Sequence, residues 1–266
     1  MNMMIFEKSE LGPEGLSSAL PRADRRYEHV KKILKKNPGD IVEAGIATDS
    51  PFGPAPLASG TAQIISLEEK SLVLRYSGSA EPEPLAPIRL ILGFPRPIQA
   101  ARIFKDLVSL GLAEIILTGT ALGEKSYLES DFFSAKQYRR PLLDGAEQAA
   151  NPRLPLIRQY WSLDRSLAAL DGPDEDTGDF WKQGLYIALH PDSSVPSFGA
   201  ILKARLAAPG SAVTIAIGSE RGWTKEEIQV LKKNGFSPAG LGSRILKTET
   251  AASAAVSLAL ASMGRM

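Results

Sequence analysis

Three segments in the last third of the chain carry the residue types and spacings that could do chemistry. The first, GLYIALHP, is an apolar run that stops at His190 and Pro191. The second, AIGSERGWTKEE, breaks at Gly218 and passes directly into Ser219, Glu220, Arg221 and Gly222. The third, GLGSRILKTETA, follows Leu241 and Gly242 with Arg244, Lys247 and Glu249. Each has the form of a strand running into a loop, and ligands of open α/β sheets sit at the carboxyl ends of strands. Gly218, Gly222 and Gly242 let backbone come close to a ligand, though glycines after strands also serve as plain turn residues. The spacing is neither a Walker loop, since no G-K-[ST] follows, nor a G-x-G-x-x-G dinucleotide fingerprint. The chain has no cysteine and two histidines, His29 and His190. Thiol nucleophiles, thiolate metal centres and disulfide frameworks are therefore excluded, and no metal site is expected.

The elements that must position these loops follow from periodicity. IRLILGF (88–94) reads as a buried strand. PIQAARIFKDLVSLG has helical spacing, with Pro97 suited to the first turn and Gly111 to the end. EIILT (114–118) is the next strand, and one helix is predicted over 128–148. LPLIRQ (154–159), GLYIALH (184–190) and AVTIAIG (212–218) are further strands. Thr224 and Glu227 form a capping box that starts a helix ending near Gly235. A short strand ends at Leu241 and Gly242, and an Ala-rich helix is capped near Thr248 or Thr250. Strands alternating with helices predict a mostly parallel α/β sheet with helices on both faces. The segment 171–179, DGPDEDTGD, reads as an acidic surface loop.

The first third has another texture. IVEAGIA, TAQIISL and SLVLRY read as short strands of a small β-rich module ending near Tyr76, and the Pro- and Ser-rich stretch 77–87 reads as a linker. The 266 residues suggest one large or two ordinary domains. The 31 basic and 30 acidic residues nearly balance, leaving a net charge of +1. That balance hides a net +5 across 22–36, RADRRYEHVKKILKK. Such a run can follow a phosphate backbone. It can equally be the solvated side of an amphipathic helix whose Val30, Ile33 and Leu34 face a core. The first residues lack the apolar run of a secretory signal. The longest apolar stretch, 251–263, is too short to span a bilayer. A soluble, cytoplasmic protein is expected.

Taken together, IGSERGWTKEE and LGSRILKTETA closely resemble the paired signatures of the RsmE family, SPOUT-class methyltransferases of ribosomal RNA. Gly218, Glu220, Gly222 and Glu227 match the first signature. Leu241, Gly242, Arg244, Ile245, Leu246, Thr248, Glu249, Thr250 and Ala251 match the second. LHP (189–191), EQAANPRLP (147–155) and HVKKILKKNPGD (29–40) resemble further family segments, so the likeness runs in order along nearly the whole chain. Ser219 and Arg221 depart from the first signature. Ser109, Asn151 and Lys247 stand where the family usually has Glu, Arg and Arg.

The resemblance implies a knotted SPOUT domain over 88–266, with a C-terminal trefoil knot, and a PUA-like RNA-binding β-barrel over 1–80. It implies methylation of N3 of a uridine in 16S ribosomal RNA, with S-adenosylmethionine as cofactor, by a homodimer acting on that RNA or on the small ribosomal subunit. Cofactor-binding positions would be Leu189, His190, Pro191, Ile217, Gly218, Glu220, Gly222, Leu241, Gly242, Ile245, Leu246 and Thr248. Arg244 would stabilise charge, and Glu249 or Glu220 would accept the N3 proton. The plainer alternatives are that Glu249 favours a helix N-terminus and that Glu220 holds loop amides. Arg22, Arg25, Arg26, Lys31, Lys32 and Lys247 would contact RNA. The departures also leave open an RNA-binding protein with lost or altered catalysis, or an enzyme acting on another RNA site.

Overall fold

The computed structural model describes residues 1–171, 181, 183–192, 194–206 and 211–266. All but the first residue of the predicted acidic loop lies outside them. The chain divides into two compact units, Met1–Pro84 with Leu143–Leu154, and Leu85–Leu142 with Pro155–Met266.

The first unit contains β1 (Met4–Phe6), β2 (Leu20–Pro21), the short helix α1 (Arg25–Glu28), β3 (Ile41–Ile46), β4 (Ser59–Leu67) and β5 (Ser71–Ala80). They form one sheet in the order β1-β3-β4-β5-β2. The three runs predicted as strands are β3, β4 and β5; β1 and β2 are too short for periodicity to reveal. Alternation along β4 and β5 buries Ala62, Ile64, Leu72, Leu74 and Tyr76 against Phe6, Tyr27 and Val30. The basic run does not make the predicted amphipathic helix. After α1 the backbone widens into a π turn over His29–Leu34, which stops at Lys35 in the left-handed region (φ 51°). The wider turn breaks the 3.6-residue register. Val30 is buried, while Ile33 and Leu34 are 69% and 40% exposed. The stretch read as a linker is tied down. Strand β5 runs to Ala80, and Glu81 accepts hydrogen bonds from the Ala55 amide (2.9 Å) and from Arg153 (3.0 Å). Arg153, fully buried, also donates to the carbonyls of Ser50, Gly53 and Pro82.

The second unit contains β6 (Ala86–Gly93), α2 (Pro97–Leu110), β7 (Leu112–Thr118), α3 (Lys125–Leu128), α4 (Asp131–Ser134), α5 (Arg139–Ala149, shared with the first unit from Leu143), β8 (Leu156–Tyr160), α6 (Leu163–Asp171), β9 (Leu185–Leu189), α7 (Phe198–Arg205), β10 (Val213–Ile217), α8 (Lys225–Lys233), β11 (Ser237–Ala239) and α9 (Thr248–Ser262). Its six strands run parallel in the order β11-β9-β10-β6-β7-β8. Every residue of β6, β7 and β10 is buried, as a parallel sheet covered on both faces requires. The helix predicted over 128–148 is instead three short ones. Lys136 turns left-handed (φ 53°), and Phe132, Phe133 and Tyr138 cluster edge-on around that break. Strand β11 ends at Ala239, three residues before the predicted end.

The buried sheet also carries an ionic cluster. Glu114 on β7 lies opposite Arg89 on β6 and accepts from its Nε at 2.6 Å, while Arg158 on β8 approaches the other carboxylate oxygen at 2.9 Å. Removing one member of a buried ionic cluster costs about 3–5 kcal/mol, because it strands the charge that remains. Glu114→Ala should therefore lose stability of that order in urea unfolding, and a loss under about 1 kcal/mol would contradict this role for the cluster.

Candidate functional site

The sheet register brings the three candidate loops together. Strand β10 lies between β9 and β6, with Ala216 opposite Ala188 and Ile217 opposite Leu92, and on the far side of β9 Ala239 lies opposite Leu189. The strands therefore end level, and the chain leaving them walls a cavity of about 260 Å³. Leu189, His190 and Pro191 come from the end of β9. Ile217, Gly218, Glu220 and Gly222 come from the end of β10. Leu241, Gly242, Ile245 and Leu246 come from the segment after β11, and Thr248 from the first turn of α9. Every position assigned to the cofactor from the sequence lies on this one wall. Ser219, Arg221, Arg244 and Ala251 complete it.

The glycines have distinct reasons. A Cβ on Gly218 would lie 2.6 Å from the carbonyl carbon of Gly222, so the tight turn itself demands glycine there. Gly222 and Gly242 adopt left-handed φ of 77° and 112°, where glycine alone is unstrained. The turn is closed by the Gly222 amide donating to the Ser219 carbonyl (2.8 Å). Thr224 then caps α8 through the predicted capping box with Glu227. The same Glu227 carboxylate accepts from the Ala121 amide (2.8 Å), joining the loop after β10 to the loop after β7.

The cavity wall is apolar at Leu189 and Ile217 and polar above them. Two polar atoms in it, His190 Nδ1 and Ser219 Oγ, are buried with no hydrogen-bond partner among the described residues. An orphaned donor or acceptor costs stability until a ligand meets it. The Glu220 carboxylate is held by the backbone amide of Arg96, which donates to its Oε1 at 2.8 Å. Glu220 also borders a second cavity of about 310 Å³ at the ends of β6 and β7, lined by Arg96, Gln99 and Tyr127 among others. Arg96 Nε donates to the Tyr127 hydroxyl (3.4 Å), and this bond raises the guanidinium pKa. Arg221 pairs with Glu124 at 2.9 Å, which braces the exposed side of the β10 turn. Sequence reasoning misses Arg96, Gln99 and Tyr127, which are over 90 positions from the loop they face. The usable signal is Arg96 itself, a cation between a strand end and the helix-starting Pro97.

The catalytic candidates separate. Glu220 and Arg244 border the first cavity. Glu249 is not among its walls; it lies in the first turn of α9, where a carboxylate suits the positive end of the helix. Lys247 is the exposed N-cap residue of that helix.

The basic run of the first unit separates as well. Arg26, expected among the phosphate contacts, is buried. It donates to Glu10 at 2.5 Å, to Asp24 at 2.8 Å and to the Ile5 carbonyl. Burial disfavours its charge, yet the bonds to Glu10 and Asp24 outweigh that and raise its pKa. It is a structural cation with no face for a phosphate. Arg25 is committed to Asp144 (3.0 Å) and Glu147. Arg22, Lys31 and Lys32 are exposed, with Lys31 donating to the Tyr27 hydroxyl and Lys32 to Glu28. Among the described residues no cluster of three or more acidic, His or Cys side chains could hold a metal ion.

Comparison with known proteins adds three findings. Residues 81–260 match the model of the RNA methyltransferase domain. The chain is 37% identical to ribosomal RNA small subunit methyltransferase E of Treponema pallidum, over 98% of this chain and 91% of that one, and 28% identical to its namesake, methyltransferase E 1, from Borreliella burgdorferi, over 96% and 95%. Among solved structures, its fold is similar to that of a methyltransferase from Legionella pneumophila in complex with SAM (TM-score 0.69, 21% identity, 98% and 97% coverage). It is also similar to ribosomal RNA small subunit methyltransferase E from Neisseria gonorrhoeae bound to S-adenosyl methionine (TM-score 0.66, 19% identity, 97% of both chains).

The orphaned Ser219 hydroxyl makes a test that needs no ligand. Ser219→Ala should leave the stability of the free protein unchanged or raise it by about 1 kcal/mol in urea unfolding, since it deletes a buried unsatisfied group. A loss of about 1 kcal/mol or more would mean that the hydroxyl already has a partner.

Proposed function

Because the chain belongs to the RNA methyltransferase family, in its ribosomal RNA small subunit methyltransferase E branch, we propose that it transfers a methyl group from S-adenosylmethionine to N3 of a uridine in 16S ribosomal RNA. The observation that carries this reading is the meeting of both signature loops and the LHP strand end around one cavity. Its residues fit the cofactor chemically. Leu189 and Ile217 offer an apolar surface, His190 Nδ1 and Ser219 Oγ need polar partners, and the Glu220 carboxylate complements a positively charged sulfur. When bound, the cofactor supplies an electrophilic methyl group.

The chain's own residues must supply the rest. Uracil N3 carries a proton and attacks poorly until it is lost. Glu220 borders the cavity and is held at one oxygen by the Arg96 amide, so it is the general base in this reading. Arg244, on the same wall, is a cation that can meet an RNA phosphate or developing negative charge. The loops orient the reactants, and much of the rate enhancement would come from that positioning. The departures Ser109 and Asn151 do not favour a protein with altered catalysis. The Ser109 hydroxyl is on an exposed helix face bonded to the Asp106 carbonyl, and the Asn151 side chain bonds the Glu83 carbonyl and the Arg153 amide. Lys247 keeps the cationic character of the Arg it replaces.

In the same reading residues 1–80 form a PUA-like RNA-binding module and 88–266 a SPOUT domain whose C-terminal segment threads as a trefoil knot. The enzyme is a cytoplasmic homodimer with its interface beside the cofactor. Helix α9 packs closely within its own unit, with Ala252, Ala255 and Ala259 fully buried. No helix among the described residues is long and apolar enough to cross a membrane.

Purified protein incubated with S-adenosylmethionine and unmodified small ribosomal subunits should produce 3-methyluridine, detected by nucleoside mass spectrometry. No product, or a methyl group on another base, would overturn the assignment. Glu220→Gln should lower kcat about 100-fold or more while leaving the fold intact, in line with the loss of a general base; unchanged kcat would move the base elsewhere. For the first unit, Arg22→Ala and Lys31→Ala should each flatten the log–log salt dependence of RNA binding by roughly 0.7–0.9. An unchanged slope would remove those residues from the RNA contact.

A further inference from the structure

The second cavity calls for an occupant. It opens at the ends of β6 and β7, on the opposite side of β10 from the cofactor cavity, and Glu220 borders both. In a parallel sheet the crevice where the strand order changes direction is the natural ligand position. Here the chain runs outward through β6, β7 and β8, then returns to place β9, β10 and β11 on the other side. The two cavities flank that switch point.

We infer that this second cavity receives the acceptor uracil, with Gln99 and Arg96 reading its edge beside Glu220. The inference rests on the methyltransferase reading above and deepens it. The uracil edge presents acceptor, donor, acceptor in the order O4, N3–H, O2. The cavity offers the complement. Glu220 Oε1 is engaged by the Arg96 amide, and Oε2 has no partner among the described residues, leaving an acceptor for N3–H. The Gln99 carboxamide is half-buried and has no hydrogen bond among those residues, so its NH2 can donate. The Arg96 guanidinium donates through Nε to Tyr127, and its terminal NH2 groups remain available to donate to an acceptor. Leu122 offers an apolar surface for a ring face. Cytosine would place an amino group where uracil has O4 and meet a donor with a donor. The pattern therefore favours uracil over cytosine, since a mismatch sets donor against donor.

The test uses the whole protein with S-adenosylmethionine and unmodified small ribosomal subunits. Gln99→Ala and Arg96→Ala should each reduce kcat/KM at least about tenfold, chiefly through KM for the subunit, while calorimetry shows cofactor affinity within about twofold of the original. Gln99→Glu keeps the size of the side chain but turns its donor into an acceptor. It should be at least as damaging as Gln99→Ala, whereas a purely structural Gln99 would tolerate it. Should Arg96→Ala fail to fold, Tyr127→Phe removes only the hydroxyl that orients Arg96 and should still raise KM. If the original protein methylates uridine but both Gln99 variants keep kcat/KM within about twofold, the acceptor lies elsewhere and this inference alone falls. It falls equally if cofactor affinity drops in parallel with activity. If the original protein makes no 3-methyluridine at all, the underlying reading falls with it.

Discussion

Strand β10 is the pivot of the catalytic unit. It is fully buried, parallel to a neighbour on each side, and level with both at its end. A strand so confined can release its chain only upward, into a turn that must clear two adjacent backbones. The crowding shows in the glycines. A Cβ on Gly93, at the end of β6, would lie 2.4 Å from the Ser219 nitrogen, and one on Gly218 would strike Gly222. Close backbone packing therefore fixes the 218–222 turn, and the turn in turn fixes Glu220. The Glu220 side chain is aimed by peptide geometry and by the Arg96 amide.

Around that pivot polar side chains hold loops together. Glu227 caps its own helix and also takes the Ala121 amide, and Arg221 reaches Glu124. Both tie the β10 turn to the loop after β7, which is also the far wall of the second cavity. A carboxylate that satisfies two backbone donors at once leaves fewer orphan groups and stiffens the site. The first unit works differently. There the best-placed guanidiniums, Arg26 and Arg153, are buried and serve the fold, which leaves the exposed lysines and Arg22 to meet solvent or a charged partner. A local count of positive charge thus overstates the surface available to a polyanion.

Much of this is legible in the residues. Continuous apolar runs mark β6, β7, β9 and β10 because a buried parallel strand leaves a continuous signal, alternation marks β4 and β5, and Thr224 with Glu227 marks the start of α8 to the residue. The cavity wall is legible because its residues fall in three short contiguous stretches. Three features are hidden for physical reasons. The π turn after α1 shifts residues off the helical period, so Ile33 and Leu34 emerge into solvent. The aromatic trio Phe132, Phe133 and Tyr138 breaks what looks in sequence like one helix. The second cavity joins Arg96, Gln99 and Tyr127 to Glu220 across more than 90 positions, and only the strand order brings them together.

The central claim is that the cavity at the end of β10 is a methyl-donor site that meets the acceptor at Glu220. A crystal structure of the protein with S-adenosylhomocysteine, the demethylated product, examines it most directly. The account predicts ligand density against Leu189, Ile217 and Leu246, with polar contacts to His190 or Ser219 and the sulfur turned toward Glu220. Density on any other surface, or a sulfur turned away from Glu220, would contradict it.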